Sequence, residues 1–170
     1  YLRPGTEKVF GVEMVSFEEL LSTSDVVSLH TPLTKETEGL IDNDALSRMK
    51  SDSILVNTSR GSVVNTAALA KALRSGKIAA AGIDVLPIEP ASEDEPLIQL
   101  WREADETNVN LIITPHTAFY SAEAMLEIRT KTAMEVARAL REEKLVNCVN
   151  SQWLSNDVRR RVLVGVPPTV

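Results

Sequence analysis

Four apolar runs, each followed by a stretch with helical spacing or a long polar loop, constrain this chain more than anything else in it. They are Asp25-Val26-Val27-Ser28-Leu29-His30, Ser53 to Val56, Ile78 to Val85, and Val109-Asn110-Leu111-Ile112-Ile113. The first is rich in β-formers, and Pro32 and Pro115 stand just beyond the first and the last, where a residue without a backbone donor halts pairing. Between the runs, Ile41 to Met49 reads as a helix capped by Asp42 or Asn43. Asn65 opens a second helix through Ala68-Leu69-Ala70-Lys71-Ala72-Leu73, with Gly76 where a left-handed C-terminal residue belongs. Parallel neighbours need a crossover of a dozen or more residues, so the alternation predicts an α/β fold with a doubly wound parallel sheet.

The rest of the chain fits around that frame. Glu13-Met14-Val15 could form a short strand, and Ser16-Phe17-Glu18-Glu19 has the spacing of a capping box ahead of a short helix. Ala79, Ala80, Ala81 and Gly82 are small enough for a helix to pack closely on the sheet. Pro87, Pro90 and Pro96 with Glu89, Glu93, Asp94 and Glu95 mark a long acidic loop, and Leu97 to Arg102 reads as a helical turn. Ser121 caps the longest helical pattern, in which Met125, Leu126, Ala133, Val136 and Leu140 lie on or near one face and Glu127 and Lys131 pair at i,i+4. After Glu143 the periodicity fades, and the end of the chain, from Val164, reads as coil.

Bulk properties narrow the function. A formal charge of −6 argues against general attraction to nucleic acid or anionic membranes. Arg159-Arg160-Arg161, the one basic run, reads as a solvated tail. The lone Cys148 permits neither an internal disulfide nor a Cys-pair zinc site. No stretch approaches the ~20 apolar residues of a membrane span. A cytoplasmic or nuclear location is expected.

In a parallel sheet, ligands bind beyond the carboxyl ends of the strands, so the polar residues that follow each run should converge. Arg60, Asp84, Glu89 and His116 would then be neighbours. Taken alone, each has a plainer reading: a surface ion-paired arginine, a helix cap, a solvated acid and a structural histidine.

The combination of His30-Thr31-Pro32-Leu33-Thr34 with Thr37, Asn57-Thr58-Ser59-Arg60-Gly61, Gly76-Lys77-Ile78, Asp84-Val85 with Glu89-Pro90, and Thr114-Pro115-His116 resembles the NAD-dependent D-isomer-specific 2-hydroxyacid dehydrogenases, over Tyr1 to about Asn150. His116 to Ser121 and Val146 to Asn150 look most like the C-terminal-binding protein branch, the NAD(H)-dependent corepressors and their microbial relatives. The resemblance implies a Rossmann-type NAD-binding domain over residues 1–120, a long helix over 121–150 returning to a substrate domain, and a tail over 151–170. It implies Arg60 as the anchor for the substrate carboxylate, His116 as acid/base and Glu89 as its partner. It also implies that Thr31, Pro32, Leu33, Thr37, Thr58, Ser59, Arg60, Asp84, His116 and Phe119 line NAD, with Asp84 at the nicotinamide end. His30 is expected to be structural. The implied partners are a small 2-keto or 2-hydroxy acid and a second copy of the chain in a homodimer.

These residue types suit the chemistry. Reducing a 2-keto acid needs a proton delivered to the developing alkoxide, which a positioned imidazole can accelerate by about 10²–10⁴-fold, and a carboxylate beside it favours the charged ring. Arginine presents a planar fork to the substrate carboxylate, whereas lysine orients the acid less well. Two functions of different class follow: an oxidoreductase on 2-hydroxy acids, or a corepressor-like module whose pocket senses NAD(H).

One expected feature is missing. The seven glycines, at 5, 11, 39, 61, 76, 82 and 165, include no pair separated by a single residue, so there is no Gly-x-Gly-x-x-Gly phosphate loop. That loop and the N-terminal βαβ unit are expected upstream, in a longer protein of which this chain is the C-terminal portion.

Overall fold

The computed structural model describes residues 5–103, 106, 108–141 and 143–150. The basic run Arg159-Arg160-Arg161 and the coil expected from Val164 lie outside the described residues. The chain divides into two compact units, Tyr1–Ala118 and Phe119–Val170.

The first unit holds four parallel strands, β1 (Val26–Leu29), β2 (Ile54–Asn57), β3 (Ala80–Ile83) and β4 (Asn110–Ile113), side by side in chain order. Each strand is four residues long, and the register runs Leu29 beside Asn57, Asn57 beside Ile83 and Ile83 beside Ile113. The strands therefore end level, and the loops beyond them start from one edge.

Helices α1 (Thr6–Phe10), α2 (Phe17–Thr23), α3 (Asn43–Arg48), α4 (Thr66–Arg74) and α5 (Pro96–Arg102) accompany the sheet. Their starts follow from local chemistry. Ser16, Asp42 and Asn65 each accept a backbone N–H three residues on, from Glu19, Ala45 and Ala68, which satisfies a donor that the first turn leaves open. Helix α4 closes at Gly76 with φ 68°, the left-handed geometry glycine adopts most cheaply.

Alternation along the strands sends Val27, Leu29, Leu55, Ala81, Ile83 and Leu111 to one face. There they share a continuous core with Leu21 of α2, Leu46 of α3, Leu69 and Leu73 of α4, and Leu97 and Leu100 of α5. The other face leaves Val26, Ile54 and Ile112 exposed. Gly82 lies on that second face, and a Cβ added to it would meet nothing within 4 Å. The buried Ala81, on the covered face, is the small residue that meets the helical layer. Glu13-Met14-Val15 is exposed and pairs with no strand among the described residues, so the short strand expected there is not formed: an extended run without a neighbour has no ladder to hold it.

The second unit contains α6 (Ala122–Leu140), whose Ser121 cap accepts from Ala124 N at 3.0 Å. Glu127 and Lys131 form the expected ion pair on it. Glu135 accepts the backbone N–H groups of Val146 and Asn147 at 3.1 and 3.3 Å, folding the following segment back along the helix. Among the described residues no helix is long and apolar enough to cross a membrane.

Candidate active site

Backbone pairing continues past the strands and gathers three loops. Asp84 N donates to Asn57 O at 2.9 Å, Thr114 N to Ile83 O at 3.0 Å, and His116 N to Asp84 O at 2.8 Å. The loops that begin at Asn57, Asp84 and Thr114 are thus held together by main-chain bonds, independently of what their side chains do.

The loop after β2 is built around Asn57, which is 1% exposed. Its Oδ1 accepts Ser59 N at 3.0 Å and Ser59 Oγ at 2.9 Å, while its Nδ2 donates to Arg60 O at 3.0 Å. One amide side chain uses both its ends to shape the turn that presents Arg60, a common use of asparagine. The Arg60 side chain is exposed, and its Nη1 donates to Ser59 O at 2.7 Å. The next residue, Gly61, packs against the following loop so closely that a Cβ there would fall 2.0 Å from Leu86 C and 2.4 Å from Pro87 N.

The loop after β3 carries two acids with different duties. Asp84, 4% exposed, accepts Thr114 Oγ1 at 2.5 Å and Thr117 N at 2.8 Å on one oxygen, and Ala118 N at 3.0 Å on the other. Burial alone would raise its carboxyl, but the bonds from Thr114, Ala118 and Thr117, with the nearby His116, outweigh that and hold it below the usual carboxylate value. Glu89 is more open. Its Oε2 lies 2.6 Å from His116 Nδ1, and its Oε1 accepts Leu86 N at 2.9 Å. The hydrogen bond to His116 is the main cause that holds Glu89 below its ordinary value; burial opposes it, and the Leu86 N–H and the His116 charge add to it. An ionised carboxylate only accepts, so Nδ1 of His116 carries the proton in this pair and proton exchange falls to Nε2.

His116 itself has φ 52°. The left-handed region is unusual for a residue other than glycine, although histidine is among those enriched there, and such outliers concentrate at functional sites. The bonds to Asp84, from the His116 N–H and from Thr114, Thr117 and Ala118 around it, hold it so. Beside the Glu89–His116 pair opens a cavity of about 420 Å³, walled by Leu86, Ile98, Trp101 and Ile113, with Asp84 and Thr114 also contributing.

The expected residues fall into three groups. Asp84, Glu89 and His116 form one connected cluster, and Arg60, Thr58 and Ser59 stand in the adjoining loop, joined to it through Gly61. Thr31, Pro32, Leu33 and Thr37 follow β1, where Thr37 Oγ1 donates to Pro32 O at 2.6 Å and accepts Thr34 N at 2.8 Å, setting a turn. Phe119 belongs to the second unit, its ring edge-on to Tyr120 with centroids 6.3 Å apart. His30 Nε2 lies 2.9 Å from Ser28 Oγ. Sequence reasoning missed Thr114 and the organising role of Asn57. The bond that gives Thr114 its role runs to Asp84, 30 residues away, and leaves no mark in the local sequence, while an asparagine two residues before a serine at a strand end is a readable turn pattern.

Residues 1–118 match the family model for the D-isomer specific 2-hydroxyacid dehydrogenase, NAD binding domain. The chain belongs to this family. Among curated relatives of this chain, a glyoxylate reductase from Korarchaeum cryptofilum is 44% identical over 150 residues, covering 88% of this chain and 43% of the relative. A D-3-phosphoglycerate dehydrogenase from Mycobacterium leprae is 40% identical over 150 residues, 88% of this chain and 27% of its own. Among solved structures, the D-lactate dehydrogenase from Aquifex aeolicus, complexed with NAD and lactic acid, superposes with a TM-score of 0.71 at 35% identity, over 82% of this chain and 44% of that one. The chain thus spans less than half the length of these relatives. All three are enzymes, and the comparisons lend the corepressor-like reading no support.

The residues present fit the dinucleotide for which the family is named. Thr31 Oγ1, just past the carboxyl end of β1, is buried without a hydrogen-bond partner in the structure, a state that a bound polar ligand resolves.

Proposed function

We propose that the whole protein is an NAD-dependent oxidoreductase that interconverts a small 2-keto acid and the corresponding D-2-hydroxy acid. The observation that carries this reading is the Glu89–His116 pair, 2.6 Å between Oε2 and Nδ1, held at the carboxyl end of the sheet in a dehydrogenase NAD-binding domain. The relatives' names, a reductase of glyoxylate and a dehydrogenase of D-lactate among them, point to the same reaction class.

His116 would serve as acid/base through Nε2, giving its proton to the oxygen on C2 during reduction and taking it back during oxidation. Glu89 fixes the ring's tautomer and orientation and balances the positive charge of the loaded imidazolium. Arg60 would grip the substrate carboxylate, exchanging its bond to Ser59 O for a charged pair; such bonds are worth about 1.5–3 kcal/mol. Thr31, Pro32, Leu33, Thr37, Thr58, Ser59, Arg60, Asp84 and His116 would line the dinucleotide. Bound NADH supplies the hydride to C2.

The test is consumption of NADH by the whole protein with glyoxylate and pyruvate. His116→Gln should lower kcat by about 10²–10⁴-fold, and Arg60→Ala should raise KM for the acid more than it weakens NADH binding. Unchanged kinetics in both variants would remove the basis for the assignment.

A further inference from the structure

Arg60 can bind a carboxylate productively only if its backbone is held still, since a misplacement of about 1 Å can cost 10²-fold in rate. Its own side chain offers no such anchor, being exposed with one hydrogen bond to the preceding carbonyl. The backbone, by contrast, is held from two directions. Asn57 grips Ser59 and Arg60 through three hydrogen bonds from a side chain that is almost fully buried. Gly61 seats the turn against Leu86 and Pro87, the same stretch whose Leu86 N–H binds Glu89.

From this we infer that Asn57 is a positioning residue: it sets the place of the Arg60 guanidinium relative to the Glu89–His116 pair, and the Gly61 contact ties both to one frame. Asn57 touches no reacting atom. It acts through Arg60, and its effect is therefore on the binding and orientation of the substrate acid. The inference rests on the activity proposed above.

The chemistry of the position is specific. Both an acceptor and a donor are needed on one short side chain, the acceptor for Ser59 N and Oγ and the donor for Arg60 O. Aspartate would turn an acceptor toward the Arg60 carbonyl, and leucine, of similar size, would leave all three partners unpaired. Serine supplies a weaker version of the same turn.

The experiment is a double-mutant cycle on the whole protein, with glyoxylate and pyruvate as substrates and NADH binding followed by fluorescence. Asn57→Ala is expected to raise KM for the acid at least about tenfold, with a smaller change in kcat and a smaller loss of NADH affinity through Ser59, which Asn57 also holds. Asn57→Ser should recover part of that loss. In an Arg60→Ala background the Asn57→Ala change should add little to KM, because the group it positions is gone. Penalties that simply add, or a loss of NADH affinity in step with the rise in KM, would overturn the inference and assign Asn57 to the fold alone. Failure of both Asn57→Ala and Asn57→Ser to fold would overturn it in the same way. Failure of the parent protein to reduce any 2-keto acid would instead sink the proposed activity on which the inference depends.

Discussion

Asp84→Asn is the change that best separates the parts of this site. The carboxylate is buried and accepts three hydrogen bonds, two on one oxygen and one on the other. In the variant, the amide oxygen can keep Thr114 and Thr117, but the amide nitrogen then faces the Ala118 N–H, donor against donor. One bond to a charged acceptor, worth about 1.5–3 kcal/mol, is lost, and the two retained bonds fall toward the roughly 0.5–1.5 kcal/mol of neutral ones. Relief from burying a charge offsets part of this, so a net loss of about 2–4 kcal/mol at pH 7 is expected. The pH dependence sharpens the test. A carboxyl held below its ordinary value contributes stability that is complete above the unfolded-state pKa, about 3.9, and is lost as pH falls through the folded value. The other acids titrate alike in both proteins. Urea unfolding of parent and variant should therefore show a gap that is widest at neutral pH and narrows below about pH 4. A gap under about 0.5 kcal/mol at pH 7, or one that does not change on acidification, would refute the view that Asp84 holds the 114–118 loop as an ionised acceptor.

Three further outcomes follow from the geometry. Gly61→Ala places a methyl group 2.0 Å from Leu86 C; two backbone segments must part, with a cost of at least about 1–3 kcal/mol, read as a fall in thermal midpoint together with a rise in KM for the acid. Glu89→Gln leaves the His116 Nδ1 bond without its charge, so kcat should drop by at least about tenfold, while in the parent protein Glu89 stays ionised to lower pH than an ordinary glutamate, held down chiefly by its bond to His116; a pH–rate profile of both proteins checks this. Leu69→Ala, at a position 0% exposed in the core beneath the sheet, should lower unfolding free energy by about 2–5 kcal/mol with substrate KM unaltered.

The sequence alone determined the order of the four strands and of the helices from α2 to α6, because hydrophobic period, caps and breakers act over a few residues and are written there directly; α1 is not among the elements read from it. Ser16, Asp42 or Asn43, Asn65, Gly76 and Ser121 are readable as helix boundaries for that reason, and the expectation that Arg60, Asp84, Glu89 and His116 gather at one edge follows from parallel topology. Where local pattern is weak, the structure departs from it: Glu13-Met14-Val15 has strand composition but no neighbour among the described residues, and of the small residues near β3 it is Ala81 that joins the core against the helices. Only the tertiary structure decided that Asp84 clamps the histidine loop through Thr114, 30 residues away, that Glu89 reaches across 27 residues to His116 Nδ1, and that His116 sits in a left-handed conformation. The closeness of Gly61 to Leu86 is of the same kind. These are properties of loops meeting in space, fixed by the level ends of four strands, and no short stretch of the chain contains the partners whose distances define them.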